Sequence, residues 1–161
     1  MKCAFIVVEQ QTLQQVEAVF DRDALLIRLI TKIDELCKAG VTDFFTNLKY
    51  GVNLWCAEIV ASFKQDNPDI KLHAVLYRNQ PLHPDDDIYR WRYDDALKAC
   101  DSRIYLQEKS AEPPVVLLDV HMITLADIIL VVNPRGTARA RSGLNDLLGC
   151  ADTTQKQILH L

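Results

Sequence analysis

Two rhythms of apolar and polar positions alternate along the chain. Lys2–Val8 is a short, nearly continuous apolar run and predicts a buried first strand. Beyond a polar connector, Leu26, Leu29, Ile30, Ile33, Leu36 and Cys37 recur at helical spacing. Gly40 follows where a helix-ending glycine belongs, and Asp21 or Asp23 suits the helix start. Val41–Thr46, β-branched and aromatic, predicts a second strand, broken by Asn47-Leu48-Lys49-Tyr50-Gly51. Val52, Cys56, Ile59, Val60 and Phe63 then give a second helical face, ended at Asn67-Pro68. Lys71–Tyr77 is the next strand. A loop rich in proline and acid spans 78–87, and helix is predicted over Tyr89–Ala99. Arg103–Leu106 reads as a short strand, Val115–Leu125 as a helix, and Ile128–Val132 as a strand buried on both faces. Asn133-Pro134-Arg135-Gly136-Thr137 is a second strand-to-helix turn, and Gln157–Leu161 a last strand.

Strands alternating with helices predict a single α/β domain over residues 1–161, with a mainly parallel sheet flanked by helices on both faces. Its core is expected to include Phe5, Val7, Phe45, Val75, Ile129 and Val131. Right-handed crossovers bring the strand-to-helix turns to one edge, where ligands of such sheets bind. Three turns should converge there, after Val8, Thr46 and Val132.

Composition adds mostly exclusions. The chain has 161 residues, 49% hydrophobic and 25% charged, as expected of a globular protein long enough for a substantial core. A net charge of −4 weighs against a dedicated nucleic-acid partner. No apolar run is long enough for a membrane span, so no membrane partner is expected. Cys3, Cys37, Cys56, Cys100 and Cys150 are odd in number and lack Cys-x-x-Cys spacing, which predicts free thiols in a reducing cytoplasm. His73, His83, His121 and His160 are scattered, with no metal-site or Cys–His spacing.

Candidate chemistry gathers at the two turns. Gly51 either relieves a tight turn or opens the backbone to an anion at a helix N-terminus. Gly136-Thr137 repeats that choice, with Thr137 as a cap or as a hydroxyl offered to a phosphate. Trp55 and Glu58 are a packing residue and a solvated charge, or else contacts to the uncharged part of a ligand, with the carboxylate taking a ribose hydroxyl or a base N–H. Arg135, Arg139 and Arg141 form a solvated helix face, or else Arg135 reaches a phosphate oxygen by a charge-assisted bond. Asp85-Asp86-Asp87 suits a helix N-terminus, with a cation site as the alternative.

The stretch Gly51-Val52-Asn53-Leu54-Trp55-Cys56-Ala57-Glu58, followed by Pro68-Asp69-Ile70-Lys71-Leu72, resembles the YpsA-like family of the SLOG superfamily. That family shows Ser-Gly-x-x-x-Gly-Val-Asp-x-Trp-Ala-Ala-Glu and then Pro-x-Ile-Lys-Leu. Asn79-Gln80, Tyr93, Leu97, Cys100-Asp101, Met122, Ala126-Asp127-Ile128-Ile129 and Gly136-Thr137 match further family positions in order, so the resemblance runs over nearly the whole chain. It implies a Rossmann-like fold and a ligand site built from Thr46, Asn47, Gly51, Asn53, Trp55, Glu58, Asn133, Arg135, Gly136 and Thr137.

Departures fall on the pocket positions. Ile6-Val7-Val8-Glu9-Gln10 stands where the family has Thr-Gly-His-Arg-Pro, and Asn47 and Arg135 each replace a glycine. Asn53 replaces the family's Asp, and Leu118-Asp119-Val120-His121-Met122 replaces Arg-Asn-x-x-Met. The related Lonely-guy phosphoribohydrolases use a glutamate and an arginine where this chain has Ala140 and, nearby, Leu118. The resemblance therefore implies a nucleotide-like small-molecule binding or sensing domain with a degenerate pocket, without catalytic residues, cofactor or metal. The alternatives are a nucleotide N-glycosidic-bond hydrolase relying on Glu58, single-stranded nucleic-acid binding, and a protein-interaction domain with a vestigial pocket. Superfamily behaviour also implies a homodimer.

Overall fold

The computed structural model describes residues 1–7, 22–78, 87–106, 114–133, 147–149 and 155–161. Six strands form one sheet: β1 (Lys2–Val7), β2 (Asp43–Thr46), β3 (Lys71–Tyr77), β4 (Ser102–Leu106), β5 (Ile128–Val132) and β6 (Gln157–His160). Helix α1 (Arg22–Lys38) joins β1 to β2, α2 (Val52–Asp66) joins β2 to β3, α3 (Asp87–Ala99) joins β3 to β4, and α4 (Pro114–Leu125) joins β4 to β5. The strand order is β4-β3-β2-β1-β5-β6, and all five pairings are parallel. The fold is thus the expected α/β sheet.

Topology assigns the helices to faces. From β1 to β4 the chain steps one way across the sheet, and right-handed crossovers hold α1, α2 and α3 on one face. The chain then returns to pair β5 with β1, and the same handedness throws α4 onto the other face. Alternation along the strands shows both sides. Phe5, Phe44, Leu72 and Leu130 pack with α1, α2 and α3, whereas Ala4, Phe45, Val75 and Ile129 pack with Leu118, Met122 and Ile123 of α4. All six expected core residues are buried.

The end of α1 shows how local sequence sets a boundary. Gly40 has φ 90°, Val41 N–H bonds the Leu36 carbonyl and Gly40 N–H bonds that of Cys37, each at 3.0 Å. This is the Schellman arrangement, in which a left-handed glycine satisfies two terminal carbonyls while Val41 packs back. The inward stripe of α1 differs from the expected one. Leu25, Leu29, Ile33 and Leu36 are buried, whereas Ile30 is 45% exposed. Both stripes have helical spacing, so the sheet surface chooses between them. No helix among the described residues is long and apolar enough to cross a membrane.

Candidate functional site

β2, β1 and β5 are adjacent, so their carboxyl ends line up where the strand order reverses. The β2 end is described in full. Because side chains alternate, its last residues divide between the two faces. Thr46 serves α2: its Oγ1 donates to the Asn53 carbonyl at 3.2 Å and accepts from Leu48 N–H at 3.3 Å. Asn47 serves α4: its Nδ2 donates to Asp119 Oδ1 at 3.0 Å, while its Oδ1 accepts from Lys49 N–H at 3.0 Å. The last bond is an Asx turn, to which asparagine is suited. Both side chains therefore work first as fasteners between strand end and helix.

The turn carries strain as well. Leu48, fully buried, has φ 52°, a left-handed conformation uncommon for leucine. Gly51 has φ 98° and ψ −134°, a region that side-chain-bearing residues avoid. A Gly51→Val change would therefore strain the backbone. Gly51 is the N-cap of α2 and supplies no capping side chain. Leu54 and Trp55 N–H reach back to the Lys49 and Gly51 carbonyls at 3.1 Å each, while Val52 and Asn53 N–H find no acceptor among the described residues. The helix start is thus an open pair of donors carrying partial positive charge.

Buried acceptors stand beside these donors. Asn53 is 2% exposed, and its amide oxygen has no hydrogen-bond partner among the described residues. Asp119, 7% exposed, sits mid-way along α4. Burial drives its carboxyl up to about 7, and neither the charge of Lys49 nor the Asn47 amide offsets that. Burial likewise pulls the half-buried Lys49 ammonium below its ordinary value, against the attraction of Asp119. Sequence reading noted Asp119 only as a departure from a family motif. Nothing local in α4 announces that this carboxylate turns inward.

Trp55 and Glu58 lie elsewhere. Trp55 is 2% exposed within the core beneath α1 and α2, and the Arg22 guanidinium stands over its ring at 5.5 Å. Glu58 is gripped by Arg92 of α3, Nε to Oε1 at 2.7 Å and Nη2 to Oε2 at 2.6 Å, a two-pronged pair. It lies about 9 Å along α2 from the helix start, at the 1.5 Å rise per residue of an α-helix. Both residues line a groove of about 430 Å³ between α1 and α2, which also includes Leu26 and Phe63. The expected ligand set therefore divides between the sheet edge and the helix layer. Asn133 ends β5 at the same edge as the turn, with its N–H on the Leu161 carbonyl at 3.3 Å. Arg135, Gly136 and Thr137, like Asn79-Gln80, Asp85-Asp86, Arg139, Arg141 and Cys150, lie outside the described residues.

Other reactive side chains have structural settings. Cys3, Cys37, Cys56 and Cys100 are free thiols. Burial pushes Cys3 up to about 12 and Cys100 up to about 11, far from the thiolate a nucleophile needs. No three His, Cys, Asp or Glu residues gather as a metal site among the described residues. His73 joins neighbours across three strands, Nδ1 to Ser102 Oγ at 2.7 Å and Nε2 to Asp43 Oδ1 at 2.9 Å. Burial raises the Asp43 carboxyl, but the bonds from Thr42 and His73 hold it below its ordinary value. This row lies near the amino ends of β2, β3 and β4, opposite the edge where parallel sheets take ligands, and it clamps the strands together. No protein-family model matches the chain, and a search of curated proteins finds none similar to it.

Proposed function

We propose that this chain is a binding or sensing domain for a nucleotide-like small molecule, a divergent YpsA-like member of the SLOG superfamily, without catalysis of its own. The observation that carries the reading is the uncapped start of α2, where Gly51 holds φ 98° and two amides find no acceptor among the described residues, beside the strand-order reversal. The site would lie between the Asn47–Asn53 turn and Asn133. The pairing of Glu58 with Arg92 weighs against a glycosidic-bond hydrolase relying on that carboxylate. A thermal-shift screen of nucleotides, with and without Mg²⁺, tests the proposal. A ligand that binds only the native state raises the midpoint, by the equivalent of about 2.7 kcal/mol at a hundred times its Kd. No rise with any nucleotide at millimolar concentration would leave the pocket vestigial.

A second reading, a protein-interaction domain, draws on α3. Ile88 and Trp91 are 73% and 67% exposed there, and Trp91 lines a further groove of about 230 Å³ against α2. Large exposed apolar side chains grouped on one helix are a feature of interaction surfaces.

A further inference from the structure

Beside the two unmatched α2 amides the β2 end carries side-chain acceptors, and these bear on what the proposed site holds. Asn47 and its neighbour Thr46 tie Asp119 and Asn53 to one turn. The Asn47 amide holds Oδ1 of Asp119, whose other oxygen has no hydrogen bond among the described residues. The Thr46 hydroxyl holds the backbone of Asn53, whose buried side-chain oxygen has no partner there either. A buried acceptor left unmatched is costly, and a donor from a ligand would relieve the cost. A phosphate dianion at this spot would offer the Asn53 oxygen only further acceptors and so leave it unmatched. The raised Asp119 carboxyl agrees: Lys49 and the Asn47 amide do not offset the burial of its own charge.

We infer that Asp119 and Asn53 form the acceptor end of the ligand site, and that this end reads the hydrogen-bond donors of a neutral nucleoside, its ribose hydroxyls or its base amine, and not a phosphate. This rests on the ligand-binding reading above. Asp119 binds such donors through its free oxygen, Asn53 through its amide oxygen, and any phosphate on the ligand lies away from this turn.

The test uses the full chain labelled with ¹⁵N and ¹³C. Adenosine, guanosine, cytidine and uridine, their 5′-monophosphates and inorganic phosphate are titrated while the Asn47 and Asn53 side-chain amides and the Asp119 carboxyl are followed. At least one nucleoside should shift these signals, inorganic phosphate should not, and Asp119→Asn should weaken that nucleoside at least tenfold, about 1.4 kcal/mol. Asn53→Ala should weaken it as well without lowering the urea midpoint, because the unmatched oxygen already costs the free protein stability. The 2′,3′-dideoxy analogue of the bound nucleoside separates the sources: lost binding assigns the hydroxyls, retained binding the base amine. If nucleotides bind while nucleosides fail, if phosphate alone moves the three signals, or if Asp119→Asn leaves affinity unchanged or tighter, the inference is overturned and the ligand-binding reading stands. If no compound moves the edge signals or the midpoint, both fall.

Discussion

Glu58 and Asp119 are each an acidic side chain on a helix with a cation nearby, yet they occupy opposite situations. Glu58 lies in the helix layer, partly open to water, with both oxygens matched by the Arg92 fork. Asp119 lies at the carboxyl edge of the sheet, nearly sealed, with one neutral amide on one oxygen and no ion pair to Lys49. The first arrangement satisfies a charge and fastens α2 to α3. The second buries a carboxyl beside few donors, so that burial drives it up to about 7. A buried, under-partnered carboxylate costs stability, and proteins keep such groups where they act on something else. Residue type alone pointed to Glu58; partners and burial point to Asp119.

The sharpest way to break this contrast is to neutralise Asp119. Its carboxyl ionises near 3.8 in the unfolded chain and near 7 in the native one, so the native state holds the extra proton between those values. The contribution of this group to stability is therefore greatest below about pH 4 and is lost as pH rises through about 7. Asp119→Asn should remove that loss, stabilising the protein at pH 8 by up to an order-of-magnitude 4 kcal/mol and scarcely at pH 4. Urea unfolding at the two pH values checks it; equal effects at both would show a carboxylate as well satisfied as Glu58. A stability gain accompanied by loss of nucleoside binding would be the trade expected of a functional group.

Gly51→Val tests whether the edge is built on strained backbone. Positive φ and a buried site together predict a loss of about 2–4 kcal/mol, measured by urea midpoint. A loss below about 0.5 kcal/mol, the usual size for unremarkable surface positions, would mean the turn relaxes freely. Asn47→Ala removes the Asp119 donor and the acceptor for Lys49 N–H at once, and should cost about 1–3 kcal/mol at pH 8. The cost should shrink at pH 5, where Asp119 is protonated and demands less of its neighbour. The smallest effect is expected in the helix layer. Glu58→Gln should change stability by about 1 kcal/mol or less, because the pair is part-exposed and screened. It should also leave nucleoside affinity unaltered in the same titration. A tenfold loss of affinity there would move the site to the groove between α1 and α2.

Much of the fold was legible as local pattern. Element types follow from periodicity, since a buried strand and a one-faced helix each repeat over a few residues. Gly40 and Asn67-Pro68 mark helix ends because backbone conformation at those points depends on the residues there. An all-parallel sheet follows from alternation, since parallel neighbours need a crossover between them. Tertiary structure decided what depends on contacts between distant residues. It selected the Leu25–Leu29–Ile33–Leu36 stripe of α1 over the equally periodic one through Ile30, because only the shape of the sheet surface separates them. It paired Glu58 with Arg92 across 34 residues and Asn47 with Asp119 across 72, so one expected ligand contact became a fastener and an overlooked acid became the most perturbed carboxyl among the described residues. Charge and hydrogen-bonding capacity are written in each residue, but burial and partners are set only when the helices dock, and those two decide whether a carboxylate is satisfied or waiting for a ligand.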